Sequence, residues 1–398
     1  MNPTMLWRIA KEPSPRIVWN FATQFGWNGL RAVQKFESRR KKGQPLFPAF
    51  VFISLNDSCN LRCQGCWVHA HGTGRKLSTD DVDKVIEAGK SRGARFFGLL
   101  GGEPLMHPEL LDIIESHRDC YFQLFTNGTL LNDEKVQRLA AAGNVTPLIS
   151  IEGLESVSDE RRGGKNVFER SMAAVDLCRK HRLIFGTATS VCKSNMKDLV
   201  NEEFVHGMAK RGAHYLWYYI YRPVGPRPAP ELALSHEEIL ELRRFLVKVR
   251  KRAPLMVVDA YWNHKGEALC PAATGISHHV GPGGDIEPCP PIQFARENLR
   301  DAEDPALAFS KSEFLEKFRE FSRDTTRGCV LLEAPEKLYD FMQSAGARDS
   351  SGRDSAFAEL AAMTQLPGHN TPGEEIPEED LFYYFAKKHW FFGFGAYG

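Results

Sequence analysis

Cys59, Cys63 and Cys66 are spaced C-x3-C-x2-C, directly after the apolar run at 50–55. Thiolates are soft ligands and suit zinc or iron–sulfur clusters. Three of them make an incomplete cage. A structural zinc site takes a fourth ligand, and the next cysteine is Cys120, although His69 and His71 lie close. On a [4Fe–4S] cluster, three thiolates leave one iron open to a small molecule. A second segment with chemical content, Gly101-Gly102-Glu103-Pro104, follows the apolar run at 95–100. Glycines let a backbone approach a ligand closely, and a carboxylate accepts hydrogen bonds from an ammonium group. Further on, Cys270, Gly284 and Cys289 form C-x13-G-x4-C, and Cys329 follows. The glycine permits a tight hairpin that brings two remote thiolates together.

Such residues need a scaffold. Strand-like runs at 50–55, 95–100, 121–126, 146–151, 184–191 and 214–221 alternate with helical patterns at 78–92, 108–117, 132–142, 167–181 and 197–211. This alternation implies parallel β/α units, which carry their chemistry at the C-terminal ends of strands. Both the cysteine and Gly-Gly-Glu-Pro segments fall at such ends. So do Asn127, after the third strand, and Ser150 and Glu152, which alternate on one side of the fourth. Residues 1–48 read as a helical preface. Its aromatics, Trp19, Phe21, Phe25 and Trp27 among them, lie across the barrel or, in the alternative, on a membrane or apolar partner. Ser235 and Glu238 open a helix at 235–252 with a capping box. Residues 341–398 read as a flexible acidic linker and an aromatic tail.

At 398 residues the chain can bury a large core. Its net charge of +1 gives no electrostatic footprint for nucleic acid. Nine cysteines in so long a chain do not read as a disulfide scaffold. With no signal-peptide pattern and no apolar run of about 18 residues, the expected compartment is the reducing cytoplasm.

On the cysteine spacing, the Gly-Gly-Glu-Pro segment and the six strand–helix units, the chain resembles the radical S-adenosylmethionine (radical SAM) enzymes. The resemblance implies an α/β fold with a partial (β/α)6 TIM-like barrel over 49–234. It implies a [4Fe–4S] cluster on Cys59, Cys63 and Cys66, whose open iron binds S-adenosylmethionine. Gly101, Gly102, Glu103 and Pro104 would then face the methionyl amino group. Ser150 and Glu152 would line the ribose and methionine part, and Asn127 would be a further cofactor contact. Residues 158–168 resemble a D-x-x-R-G-x-x-x-F stretch of the family, in which Arg162 would pair with a carboxylate; the alternative is a solvated arginine. Many members place an aromatic just before the third cysteine, near the adenine. Here that position is Gly65, and Trp67 follows as the adenine-side contact. Tyr219 and Tyr221 either pack or touch substrate or adenine.

Residues 235–340 resemble the SPASM or twitch extension, a small cysteine-containing α+β unit with an auxiliary iron–sulfur cluster. Cys270, Cys289 and Cys329 would be its ligands, with the fourth position open or filled by Glu333, His278 or His279. A zinc site or a vestigial hairpin is the alternative. Cys120 and Cys178 read as buried hydrophobes. Cys192 lies past the fifth strand, where a thiol could return a hydrogen atom to a substrate radical. The implied reaction is reductive cleavage of S-adenosylmethionine to a 5′-deoxyadenosyl radical, which abstracts hydrogen from a substrate C–H bond. A flavodoxin or ferredoxin would supply the electron. Peptide or protein modification is the first expectation, and modification of a small molecule, cofactor precursor or lipid the second. A non-catalytic iron–sulfur or zinc protein is the rival of another class.

Overall fold

The computed structural model describes residues 2–68 and 74–390, so His69, His71 and the aromatics Phe391, Phe392 and Phe394 lie outside the described residues. Seven strands run parallel in chain order: β1 (Phe50–Ser54), β2 (Phe96–Leu100), β3 (Tyr121–Thr126), β4 (Val145–Ser150), β5 (Gly186–Val191), β6 (Tyr215–Ile220) and β7 (Met256–Val258). Strands buried on both faces read as near-continuous apolar runs, which is why β1 to β6 fall within two residues of their expected places. Strand β7 is three residues long and follows a helix closely, so it carries no periodic signal of its own.

The sheet continues past β1. Strand β8 (Ser277–Val280) pairs parallel with β1, from Phe50 opposite Ser277 to Ile53 opposite Val280, and β9 (Ile286–Glu287) returns antiparallel to β8. The order is β7-β6-β5-β4-β3-β2-β1-β8-β9. The cysteine-bearing extension therefore begins by prolonging the barrel sheet.

Helices α1 (Pro3–Lys11), α2 (Pro15–Asn20) and α3 (Asn28–Lys41), with a π-helical stretch Phe21–Trp27 joining the last two, close the N-terminal end of the barrel. Arg8 donates to the carbonyls of Ala213 and Pro254, before β6 and β7. Arg182, before β5, donates to Pro13 O. Asn20 donates to Gly143 O before β4, Gln24 to Arg118 O before β3, and Arg39 to Arg92 O before β2. The preface thus visits the strand-entry loops in reverse order. Phe25 seals the middle, its ring 4.7 Å from Phe96 and 5.8 Å from Tyr121.

The remaining crossovers of the barrel are α4 (Thr79–Arg92), α5 (Leu110–Ser116), α6 (Asp133–Ala142), α7 (Glu155–Arg162), α8 (Val167–Lys180), α9 (Met196–Leu199), α10 (Glu202–Lys210) and α11 (His236–Arg250). The S-x-x-E at the start of α11 forms its capping box: Glu238 N donates to Ser235 Oγ at 3.2 Å, and Ser235 N to the Glu238 carboxylate at 2.7 Å.

The described part of 341–390 is not a loose linker. Glu378 accepts from Arg250 at 2.5 Å and Arg243 at 2.7 Å, and Lys387 lies 3.0 Å from Asp259 and 3.3 Å from Glu378. All five side chains are buried. Composition predicts mobility here because the acidic residues read as solvated, whereas Glu378 is committed to cations on α11. Tyr383 adds a hydroxyl that accepts from Val257 N of β7.

Candidate active site

The cysteine loop leaves β1 at its C-terminal end and is clasped from three sides. On the first, Gly102 N donates to Asn56 O and Glu103 N to Ser58 O, both at 2.8 Å. A Cβ on Gly101, at φ +151°, or on Gly102 would overlap the backbone of Asn56 or Ser58. The glycines are needed so that this loop can meet the cysteine loop, a closer constraint than ligand approach. On the second side, Arg62 N donates to Arg162 O and Gln64 N to Arg161 O, with Gly163 pressed on Arg62 O. On the third, the Pro-rich segment after β6 folds over the loop. Gly65 N donates to Arg227 O, and Gly225 abuts Cys66 O. We expect Gly102→Ala to cost about 1–3 kcal/mol, because the overlapping atoms are backbone and must shift. Thermal denaturation would measure it, and an unchanged melting temperature would refute the clasp.

Around this loop most expected contacts are brought together, in pairs that the spacing does not show. The buried Glu103 carboxylate accepts from Thr126 Oγ1 (2.7 Å), Asn127 N (2.8 Å) and Leu105 N (3.1 Å). It braces the Gly-Gly-Glu-Pro loop, with Pro104 in the short turn beyond, against the end of β3. Asn127 donates to Asn60 Oδ1 within the cysteine motif at 2.9 Å. Arg162 pairs with Glu152 at 3.0 Å and points its other nitrogen at Cys63 Sγ, 3.6 Å away. Burial opposes the Arg162 charge, but Cys63 and Glu152 more than offset it and hold its pKa above the ordinary value. Glu152 also accepts from Ser190 N at 2.9 Å. Ser150, half-buried, ends β4 beside this pair. At Gly65 the place of a side chain is filled by the Tyr221 ring, under the Arg161 guanidinium at 4.6 Å. Trp67 lines a cavity with Ser54, Asn56, His279, Gln293 and Arg353.

The second cysteine set converges too. Cys270 and Cys329 both act electrostatically on Cys289. Between them stands Arg222, two residues past β6, with Nε 3.3 Å from Cys329 Sγ and its guanidinium over the Tyr261 ring at 5.4 Å. Among the described residues no carboxylate pairs with Arg222; its charge faces sulfur. Sequence reasoning missed this residue, since one arginine after an aromatic strand carries no pattern. The three alternative ligands are otherwise engaged. Glu333 accepts from Thr326 Oγ1, Asn370 N and Cys329 N. His278 bonds Pro288 O, and burial pushes its pKa down to about 3. His279 joins Ser54 Oγ at 2.7 Å to Glu287 at 2.5 Å, and Ser350 donates to the other Glu287 oxygen. Cys192 is fully buried against Ser194 Oγ and faces no open space. Cys120 and Cys178 are buried, as expected.

The barrel lumen is walled by rings. Phe52 of β1 meets Phe125 of β3 at 5.7 Å, Phe125 meets Trp217 of β6 at 6.5 Å, and Trp217 stacks on Tyr219 at 5.4 Å. Strands β3 and β6 are not neighbours, so their rings touch only across the concave face. Phe52, Phe125 and Tyr219 are each half-buried there.

Both thiol sets can hold iron–sulfur clusters. Burial pushes the Cys59 thiol up to about 12 and the Cys66 thiol up to about 11, so thiolates there call for cationic partners. Arg162 Nε and Asn56 Oδ1 are buried beside the first set without a hydrogen-bond partner, as polar atoms awaiting a ligand would be. Among the described residues no three His, Cys, Asp or Glu side chains converge on a point as for one metal ion. A cluster places its thiolates on different irons and needs no such point.

The family model described as the Radical SAM superfamily matches residues 53–201. Residues 53–201 form a radical SAM domain. Radical SAM proteins use a [4Fe–4S] cluster and S-adenosylmethionine, and the matched span holds the cysteine loop, Gly-Gly-Glu-Pro, Asn127, Ser150, Glu152 and Arg162. An AdoMet-dependent heme synthase of Methanosarcina barkeri is 34% identical over 161 residues, 38% of this chain and 45% of that protein. One of Nitratidesulfovibrio vulgaris is 25% identical over 296 residues, 66% of this chain and 78% of that protein. In fold, the crystal structure of Streptococcus suis SuiB bound to precursor peptide SuiA aligns with a TM-score of 0.60 at 18% identity, over 75% of this chain and 72% of that one.

Proposed function

We propose that Cys59, Cys63 and Cys66 hold the radical SAM [4Fe–4S] cluster, that Cys270, Cys289 and Cys329 hold an auxiliary cluster, and that the substrate is a peptide or protein side chain held in the ring-walled lumen. When bound, the reduced cluster and S-adenosylmethionine supply a 5′-deoxyadenosyl radical able to abstract hydrogen. The observation that carries the reading is the cysteine loop at the C-terminal mouth of the lumen, clasped on three sides. The protein's own work is positional. Arg162 keeps positive charge beside Cys63, Glu103 and Asn127 fix the loop, and Phe52, Phe125 and Tyr219 exclude water from the place of reaction. Arg222 plays the part of Arg162 at the second thiol set. A flavodoxin or ferredoxin would deliver the electron.

Two observations bear on substrate class. The fold likeness to SuiB, a protein solved with its precursor peptide, extends over 75% of this chain and favours a peptide. The broad match to a heme synthase, 78% of that protein, and the aromatic walls favour a small planar molecule as the second reading. Anaerobic reconstitution followed by dithionite and S-adenosylmethionine tests the enzyme: about eight irons and release of 5′-deoxyadenosine are expected. Zinc in place of iron, or no cleavage from a loaded protein, overturns the site assignment. Deuterium carried into 5′-deoxyadenosine from labelled peptides, and not from labelled porphyrins, decides between the substrate classes.

A further inference from the structure

We propose that the pole of the barrel opposite the first thiol set is a docking face for the surface of an anionic lipid bilayer. The helices α1 to α3 lie on the strand-entry loops, whereas Cys59, Cys63 and Cys66 follow the exit of β1. On that outer pole Trp7, Trp19 and Trp27 are 60%, 69% and 60% exposed. Their placement is systematic. Phe21 and Phe25 face the barrel, stacked at 4.9 Å with Phe25 on Phe96. Trp19 stands two residues before the first and Trp27 two after the second, and two helical residues turn the chain by about 200°. Both indoles therefore face away from the protein, two turns apart. Trp7 and the exposed Leu6 add the outer side of α1, which packs beside α2. The helix Leu381–His389 ends at this pole, with Trp390 5.5 Å from Phe25, and leaves Leu381 and Phe385 85% and 59% exposed. Residues 391–398, next in sequence, hold three Phe, one Tyr and no charged side chain.

Charge selects the occupant. Residues 1–42 contain nine Lys or Arg against Glu12 and Glu37, a net +7, in a chain of net +1 overall. Of these, Lys11, Arg31, Lys35, Lys41 and Lys42 are exposed. Tryptophan with basic residues is the composition that settles at the interface of an anionic membrane. A second copy of the same face would oppose like charges. No described helix is long and apolar enough to cross a membrane, so the contact is one of lying on the surface. The lumen would then open away from the lipid.

Co-sedimentation of the full chain with vesicles tests this. Binding is expected to vesicles of phosphatidylcholine with phosphatidylglycerol, weaker to phosphatidylcholine alone, and lost in high salt. The triple variant Trp7→Ala/Trp19→Ala/Trp27→Ala should reduce the bound fraction about tenfold, and Lys41→Glu/Lys42→Glu should reduce it on anionic vesicles only. Both sites are exposed, so melting temperatures should stay as in wild type. Absence of wild-type binding, or equal binding by wild type and both variants, overturns the proposal. So does binding that appears only after removal of residues 391–398, which would make the tail the occupant. A dimer lost in the triple variant, without vesicle binding, would make it a second copy and equally overturn it.

Discussion

Alanine at Cys59, Cys63 and Cys66 together should abolish release of 5′-deoxyadenosine and lower reconstituted iron from about eight to about four atoms per chain. The two thiol sets sit at different places, one after β1 and the other drawn from before β8, after β9 and the segment around Cys329, and each has its own guanidinium, Arg162 and Arg222. Removing the first set should leave the second loaded. The complementary variant, Cys270→Ala/Cys289→Ala/Cys329→Ala, should keep about four irons and the cleavage reaction. Iron and sulfide analysis with a chromatographic nucleoside assay reads both. If the first variant loses all iron, the sets are not independent. If it keeps all of it, Cys59, Cys63 and Cys66 are not ligands.

Glu378→Gln should destabilise the fold by about 3 kcal/mol at neutral pH. Burial alone would raise this carboxyl, but Arg250, Lys387 and Arg243 hold it down, to about 2 against an ordinary value of 4.5. A carboxylate depressed in the folded state stabilises above its unfolded pKa, and that contribution is lost as pH falls towards the folded value. Each pKa unit is worth about 1.4 kcal/mol, which sets the magnitude. Asp259 is depressed in the same direction, by Lys387 and the same two arginines against its own burial. Wild type should therefore lose stability between about pH 4.5 and pH 2 more steeply than Glu378→Gln. Urea denaturation across that range measures the difference. Parallel curves, or a variant as stable as wild type at neutral pH, would show that the buried network does not hold residues 376–389 in place.

The parts of this fold legible in the sequence are those with a local signal. Strands β1 to β6 announce themselves as apolar runs, and α11 by its capping box. The first thiol set is legible because its three cysteines sit within eight residues of chain. Gly101 and Gly102 are visible as a motif, yet the reason for them is not: the backbone they approach belongs to residues 56–58. Glu152 and Arg162 look like two separate ligand contacts and are one ion pair. Arg222 and the tail fail for a common reason. A lone charged residue has meaning only through a partner far away in sequence, as Glu378 has through Arg243 and Arg250, and composition averages such pairs away.

The clasp around the cysteine loop also sets an order of assembly. The thiols are synthesised early, but the backbone that steadies them comes from residues 102–103, then 161–163, then 225–227. A nascent chain that stops short of the last of these carries all three cysteines on a loop braced on one or two sides. Sequence-distant closures of this kind form late in folding. Loading of the proposed first cluster would therefore follow closure of the barrel, and a chain truncated before Arg227 would present reactive sulfur without the walls that protect it.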